Sequence, residues 1–164
     1  MTRALFALLI VLAALAQATI LPAAAPLAIV PNVVLVLILV RAALYGVADA
    51  LIWILLAGVT LDVLALDPIG ANGLALLAVA LVAALARKRF FHNGMIFPML
   101  LAMLATFAYA IVLAVVRAFA GEGMAPLQFV LRLTLLQALL NSLLVPPLYL
   151  GVGWLNRFGP EGAR

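Results

Sequence analysis

The stretch that decides the fold is residues 57–74, AGVTLDVLALDPIGANGL, in which one apolar segment ends, the chain turns and another apolar segment begins. Asp62 lies inside the first of these segments. An ionisable side chain at membrane depth costs at least ~2.5–3.5 kcal/mol on insertion scales, so it normally has a structural or functional role. Pro68 disfavours helical geometry at the residue before it, and Gly70 permits a positive φ, so a sharp turn is predicted after Asp62.

The composition of the chain predicts a membrane protein. Of its 164 residues, 70% are hydrophobic and 9% are charged, which leaves too few polar groups to cover a soluble domain. The apolar runs are long and do not alternate with polar residues, which favours helices over a β-barrel. We therefore predict an all-α fold: a polytopic membrane helix bundle with six transmembrane helices, forming a single domain over residues 1–164.

The residue types that are rare or missing exclude several kinds of site. The chain has no cysteine and one histidine, which excludes disulfides, thiolate catalysis and metal clusters built on those ligands. Its net charge of +4 is spread over helix ends and predicts no nucleic-acid surface. It has no zinc-protease or serine-hydrolase motif, and its acids are too scattered for a paired-carboxylate site. We predict no enzymatic activity, no metal and no cofactor.

The apolar runs predict helices at about residues 4–21, 27–45, 47–66, 73–86, 95–119 and 127–154. The first run carries a cleavage-like triplet, Ala16-Gln17-Ala18, and resembles a signal peptide, but its apolar length favours a retained helix. Pro31-Asn32 opens the second helix or lies in its first turn. Pro146-Pro147 predicts an interruption and a kink in the sixth helix.

The basic residues predict the orientation in the membrane. With six spans, one side holds seven of them and the other side two, namely Arg117 and Arg132. The seven are Arg3, Arg41, Arg87, Lys88, Arg89, Arg157 and Arg164. Because positive residues stay in the cytoplasm, both termini are predicted to be cytoplasmic and the turn after Asp62 to lie outside. The cluster Arg87-Lys88-Arg89 is interpreted as a topology determinant, with contact to a partner protein or to anionic lipid as the alternative.

The sequence predicts the surroundings of three charged side chains: Asp62, Arg41 and Asp49. Gly58 and Asp62 are four residues apart and share a helix face, where a glycine lets a neighbouring helix approach closely. Asp62 is interpreted as a structural carboxylate or as a partner contact, and Arg132 is our candidate for pairing with it. Arg41 is expected to snorkel to the membrane interface, and Asp49 to face water at a helix N-terminus.

The sixth helix carries one polar stripe. Thr134, Gln137 and Asn141 follow at i, i+3 and i+7 and so share a face of an otherwise apolar helix. Side chains of this kind commonly hydrogen-bond to a neighbouring helix within the membrane. We interpret the stripe in that way, with the lining of a cavity as the alternative.

Three motifs in order resemble the MreD family, the small integral-membrane component of the bacterial rod-shape machinery. Pro31-Asn32 before an apolar helix is similar to the family's start of its second span. Residues 58–70, with Gly58, Asp62, Pro68 and Gly70, resemble its G-x-x-x-D-L-x-x-x-x-x-x-G signature. Residues 141–146, from Asn141 to Pro146, resemble its N-x-x-x-x-P element. The likeness covers nearly the whole chain and departs at residues 66–67, where small polar residues are common in the family.

The resemblance implies a non-enzymatic scaffold in the bacterial inner membrane that binds an MreC-like bitopic protein. It further implies work with MreB, RodA and the elongation penicillin-binding protein in side-wall peptidoglycan synthesis, and contact with membrane lipids. The family's fold is similar to the six-helix S-components of energy-coupling-factor transporters. A small-molecule-binding subunit of that type is therefore the alternative function, and it requires a polar outer cavity. Residues available for such a cavity are Asp62, Asn72, Gln128, Arg132 and Gln137.

Overall fold

Six helices form the bundle in the computed structural model, which describes residues 3–21, 29–90, 94–123 and 126–157. They are α1 Arg3–Leu15, continued by a π-helical segment Ala16–Ile20, α2 Val33–Tyr45, α3 Val47–Ala65, α4 Ala71–Phe90, α5 Ile96–Phe119 and α6 Leu127–Arg157. Four segments are long and apolar enough to cross a membrane: Arg3–Ile20, Val47–Ala65, Ile96–Phe119 and Gln128–Gly151. The prediction of an all-α membrane bundle is confirmed.

The short helix α2 occupies the centre of the bundle. Its 13 residues extend ~20 Å, whereas the hydrocarbon core of a bilayer is ~30 Å thick. Residues 34–43 are all buried, and α2 contacts each of the other five helices. The helix begins at Val33 instead of near residue 27, because the Asn32 side chain caps it by accepting a hydrogen bond from the Leu35 N–H at 2.8 Å.

The end of α2 buries an arginine that was expected at the membrane surface. The Arg41 side chain is 8% exposed, and its Nε lies 2.6 Å from Asp49 Oδ2. Its guanidinium lies over the rings of Phe6, Tyr45 and Trp53, at 4.7, 4.1 and 5.5 Å from their centroids. The prediction that Arg41 snorkels was wrong, whereas Asp49, in the first turn of α3, keeps 29% of its side chain exposed. Because α2 is short, Arg41 stays inside the protein, where its charge must be paired.

The sixth helix runs through both of its prolines. α6 extends from Leu127 to Arg157 with Pro146 and Pro147 inside it, so the predicted interruption was wrong. Each proline removes one backbone donor, but Leu144, Leu148 and Tyr149 on either side of them pack against the hydrophobic core. Val145, directly before the pair, is fully buried. Tertiary packing therefore outweighs the local preference of this dipeptide.

The turn between α3 and α4 is held by backbone hydrogen bonds and one strained residue. The N–H groups of Leu66 and Asp67 both donate to the carbonyl of Asp62. Leu66 has φ 57° and ψ 31°, the left-handed conformation that ends many helices but rarely holds a leucine. Gly70 has φ 94°, and α4 begins at Ala71, two residues earlier than predicted. The turn is consequently tight and has a defined shape.

We expect Leu66→Gly to raise the free energy of unfolding by up to ~1 kcal/mol, because glycine adopts the left-handed conformation without a Cβ clash. The Leu66 side chain is 89% exposed, so little packing is lost. Thermal unfolding in detergent measures the change. Leu85→Gly is the matched control: Leu85 is 90% exposed but helical, so glycine should destabilise there by ~1 kcal/mol. Equal destabilisation by both variants would contradict the strained conformation of Leu66.

Candidate functional site

Asp62 is the centre of a hydrogen-bonded turn at the predicted outer end of the bundle. The residue is 2% exposed. Its Oδ2 accepts from the Gly70 N–H at 2.6 Å, and its Oδ1 accepts from the backbone and side-chain amides of Asn72 at 2.9 and 2.8 Å. A buried carboxylate needs donors of this kind. All three come from the far side of the turn, so Asp62 fastens the end of α3 to the start of α4.

The structure does not bring Asp62 and Arg132 together. Arg132 is exposed on α6, whereas the carboxylate of Asp62 is used by three N–H donors of its own turn. The predicted pair was therefore wrong. The donors that satisfy Asp62 lie eight to ten residues away in sequence, so a distant cation is unnecessary.

An ion pair that the sequence did not indicate joins this turn to α5. The Nε and one terminal nitrogen of Arg117 lie 2.8 and 2.5 Å from Asp67 Oδ1. Asp67 is 6% exposed and Arg117 41% exposed in their side chains, and Glu122 Oε2 lies 3.8 Å from the Arg117 Nε. The pair was missed because its members are 50 residues apart. The available signal was that both lie at the same predicted end of their helices.

Asn72 connects the two acidic residues. Besides its bonds to Asp62, its side-chain amide donates to Asp67 Oδ2 at 2.9 Å. Its side-chain oxygen accepts a hydrogen bond from the Tyr109 hydroxyl on α5. One polar network thus links α3, α4 and α5 at this end of the bundle. Asn72 is its central residue, because it bonds to Asp62, Asp67 and Tyr109.

Gly58 permits the close approach that this network requires. A Cβ atom on Gly58 would lie 2.6 Å from Gly73 Cα and 2.7 Å from Gly73 N, closer than real Cβ contacts. Gly58 lies one turn before Asp62 on the same helix face. The backbone contact between α3 and α4 therefore places the first amides of α4 beside the carboxylate of Asp62.

A second polar group surrounds the start of α2. The Asn32 backbone N–H donates to Asn141 Oδ1 at 2.7 Å, and Asn141 Nδ2 donates to Thr106 Oγ1 at 3.0 Å. A helix that begins inside a membrane leaves backbone groups without partners, and these must be satisfied by protein. The motif residues Asn32 and Asn141 meet here for that purpose. Pro31, directly before them, has no N–H to satisfy.

Two glutamines complete the surroundings of this buried helix start. Gln17, in the π-helical segment, accepts from the Val34 N–H at 3.4 Å. Gln137 on α6 donates to the Val30 carbonyl at 3.0 Å. Asn141 thus makes the interhelical hydrogen bond expected of the polar stripe, whereas Gln137 bonds to the segment before α2. Gln17 was not singled out for this role, because nothing in its local sequence indicates a π-helix.

A polar cavity of about 250 Å³ lies between these two groups. Its polar lining consists of Gln17, Asn32, Asp67, Asn72, Tyr109, Arg117 and Gln137. Two wider cavities follow along α5 and α6, and Thr134 lines both of them. Within the described ranges, no three His, Asp or Glu side chains converge as metal ligands would. The chemistry that this end offers is hydrogen bonding and charge pairing.

The other residues singled out in the sequence lie in the α3–α4 turn, in α4, in α6 or outside the described residues. Pro68 is half-buried in the α3–α4 turn, and Pro146 lies inside α6. Arg87, Lys88 and Arg89 lie in the last turns of α4, of which the structure describes the backbone. His92 and Arg164 lie outside the described residues.

Comparison with known proteins adds one finding. The family model described as rod shape-determining protein MreD matches residues 1–152. The match includes the turn around Asp62 and the motifs at Pro31-Asn32 and Asn141–Pro146. No curated protein and no solved structure matches the chain.

Proposed function

Because this chain belongs to the MreD family of rod shape-determining proteins, we propose that it is a scaffold of the cell-elongation machinery. The family acts in rod shape determination, and the helices make this member a multi-pass membrane protein. The proposed role is non-enzymatic: the bundle binds an MreC-like bitopic protein. Together with MreB, RodA and the elongation penicillin-binding protein, it organises side-wall peptidoglycan synthesis. It lies in the bacterial inner membrane with both termini in the cytoplasm.

The observation that supports this role is an apolar ridge along α3. The α3 ridge consists of Leu51, Leu55, Val59 and Val63, whose exposed fractions lie between 46% and 70%. Residues four apart form one row on a helix, which is the surface that packs into a partner helix. Directly beside this ridge, α3 is fastened to α4 through Gly58 and Asp62. A surface held rigid before binding loses little conformational entropy when a partner docks.

Cysteine cross-linking tests this interface, because the chain has no native cysteine. We expect Val59→Cys to form a disulfide with a single cysteine placed along the transmembrane helix of an MreC-like partner. The matched control is Leu104→Cys, on α5, where the side chain is 58% exposed and away from the α3 ridge. Cross-linking at Leu104→Cys but not at Val59→Cys would show that the interface lies on α5 and not on α3. If the wild-type chain retained no such partner on purification, the scaffold role would be wrong.

The alternative, a small-molecule-binding subunit of the S-component type, is favoured by one observation. The polar cavity of about 250 Å³ lies at the predicted outer end, as that function requires. Likeness to the S-component fold remains a prediction. Mass spectrometry of the purified chain separates the two roles: a water-soluble compound retained without any protein partner would favour the alternative.

A further inference from the structure

Three adjoining cavities run from the polar end of the bundle to its lipid-facing surface. The polar cavity shares Tyr109, Leu113, Arg117 and Gln137 with a second cavity of about 390 Å³. The second shares Ala110, Ala114, Ala118, Val130 and Thr134 with a third of about 620 Å³. We call them together the α5–α6 path. Its lining changes from polar to apolar, which is the arrangement that an amphipathic ligand requires.

The polar end of the path offers both signs of charge. Arg117 uses its Nε and one terminal nitrogen on Asp67 and is still 41% exposed, so its outer face is accessible. Glu122, 48% exposed, lies 3.8 Å from the Arg117 Nε. A guanidinium binds phosphate oxygens well, and a carboxylate accepts from an ammonium group. A head group with only negative charge would be repelled by two carboxylates, Asp67 and Glu122, and attracted by only one guanidinium.

The apolar end of the path is open to lipid. Ile111, Val115 and Phe119 line it and are 62%, 48% and 89% exposed. Its lining on α5 extends from Phe107 to Phe119, a length of ~18 Å at 1.5 Å per residue. With about 620 Å³ over that length, the groove has room for a flexible acyl chain.

From this geometry we propose that the α5–α6 path binds one phospholipid with a primary ammonium head group. The phosphate lies against Arg117, the ammonium group against Glu122, and an acyl chain follows the alanines of α5 towards the bilayer. Ala110, Ala114 and Ala118 are spaced four apart on one face of α5, and their small side chains leave the space for that chain. The site uses no residue of the α3 ridge, so it is independent of the proposed scaffold role.

Native mass spectrometry of the full chain tests the proposal. The chain is reconstituted in phosphatidylcholine nanodiscs with equal minor fractions of phosphatidylethanolamine and phosphatidylglycerol. The lipids that stay bound to the chain after its release from the nanodisc are counted. We expect about one retained phosphatidylethanolamine per chain. Arg117→Gln should reduce that retention about tenfold, the effect of losing one charge-assisted hydrogen bond. Equal retention of the two minor lipids would overturn the assignment of the head group.

A second variant keeps the proposal falsifiable if Arg117→Gln fails to fold. Ala114→Trp fills the middle of the path, since Ala114 lines both wider cavities, and should abolish lipid retention. Leu104→Trp introduces the same side chain on α5 away from the path and should leave retention unchanged. Unchanged retention in Ala114→Trp would overturn the proposal. Recovery of a bound transmembrane peptide in place of a lipid would overturn it in favour of helix docking.

Discussion

Asp62→Ala is expected to lower the free energy of unfolding by ~3–5 kcal/mol, because it leaves three N–H donors without an acceptor in a buried site. Asp62→Asn keeps the size of the side chain but replaces one acceptor oxygen with a donor that faces an N–H group. We therefore expect a smaller loss, ~1–3 kcal/mol. Thermal unfolding in detergent, followed by circular dichroism, measures both changes.

Arg132→Ala is the control for this experiment. Arg132 is exposed and makes no bond to Asp62, so its removal should change stability by no more than ~0.5 kcal/mol. The effects of the two substitutions should also add in the double variant. If Arg132→Ala destabilised as much as Asp62→Ala and the double variant were no worse than either, the two residues would be paired. The hydrogen bonds described between Asp62 and its own turn would then be contradicted.

Gly58→Ala is expected to lower the free energy of unfolding by ~1–3 kcal/mol or more, because the added methyl group overpacks the α3–α4 contact. The atoms that it would meet belong to the Gly73 backbone, at 2.6 and 2.7 Å, and cannot rotate away as a side chain can. The two helices must separate, and this also moves the N–H donors at the start of α4 away from the carboxylate of Asp62. The midpoint of thermal unfolding reports the loss.

Gly73→Ala is the matched control because it adds the same methyl group on the other side of this contact. No atom lies within 4 Å of a Cβ built on Gly73. In a helix, alanine is favoured over glycine by ~0.5–1 kcal/mol, so we expect a small stabilisation. The two substitutions should therefore have opposite signs. A Gly58→Ala variant that is stabilised to the same extent as Gly73→Ala would show that α3 and α4 do not touch at Gly58.

The sequence predicted the fold class well because membrane helices are determined by local composition. An apolar run of sufficient length has few alternatives to a helix in a bilayer. The shared face of Gly58 and Asp62 also follows from local spacing, since helix periodicity is a property of one segment. The buried position of Arg41 did not follow, because the prediction assumed that each apolar run reaches the membrane surface. In α2 the run is too short to do so.

The partners of the site residues were harder to predict than the residues themselves. Asn32 and Asn141 stand out in the sequence, but their hydrogen bond joins positions 109 residues apart. Helix periodicity places a side chain on a face and does not say which helix that face meets. The same limit applies to Arg117, whose acidic partner Asp67 was known only as part of a turn. Contacts between helices depend on packing order, which one sequence does not reveal.

The burial of α2 has a consequence for biogenesis. Residues 34–43 of this 13-residue helix are buried, and the helix contacts all five other helices, including the late α5 and α6. While the ribosome is still synthesising those later helices, α2 has no complete protein surroundings, and it carries an arginine. It is therefore poorly suited to leave the translocon and enter lipid alone. Its stable integration must await the C-terminal half of the chain, so completion of the polypeptide serves as a checkpoint for assembly.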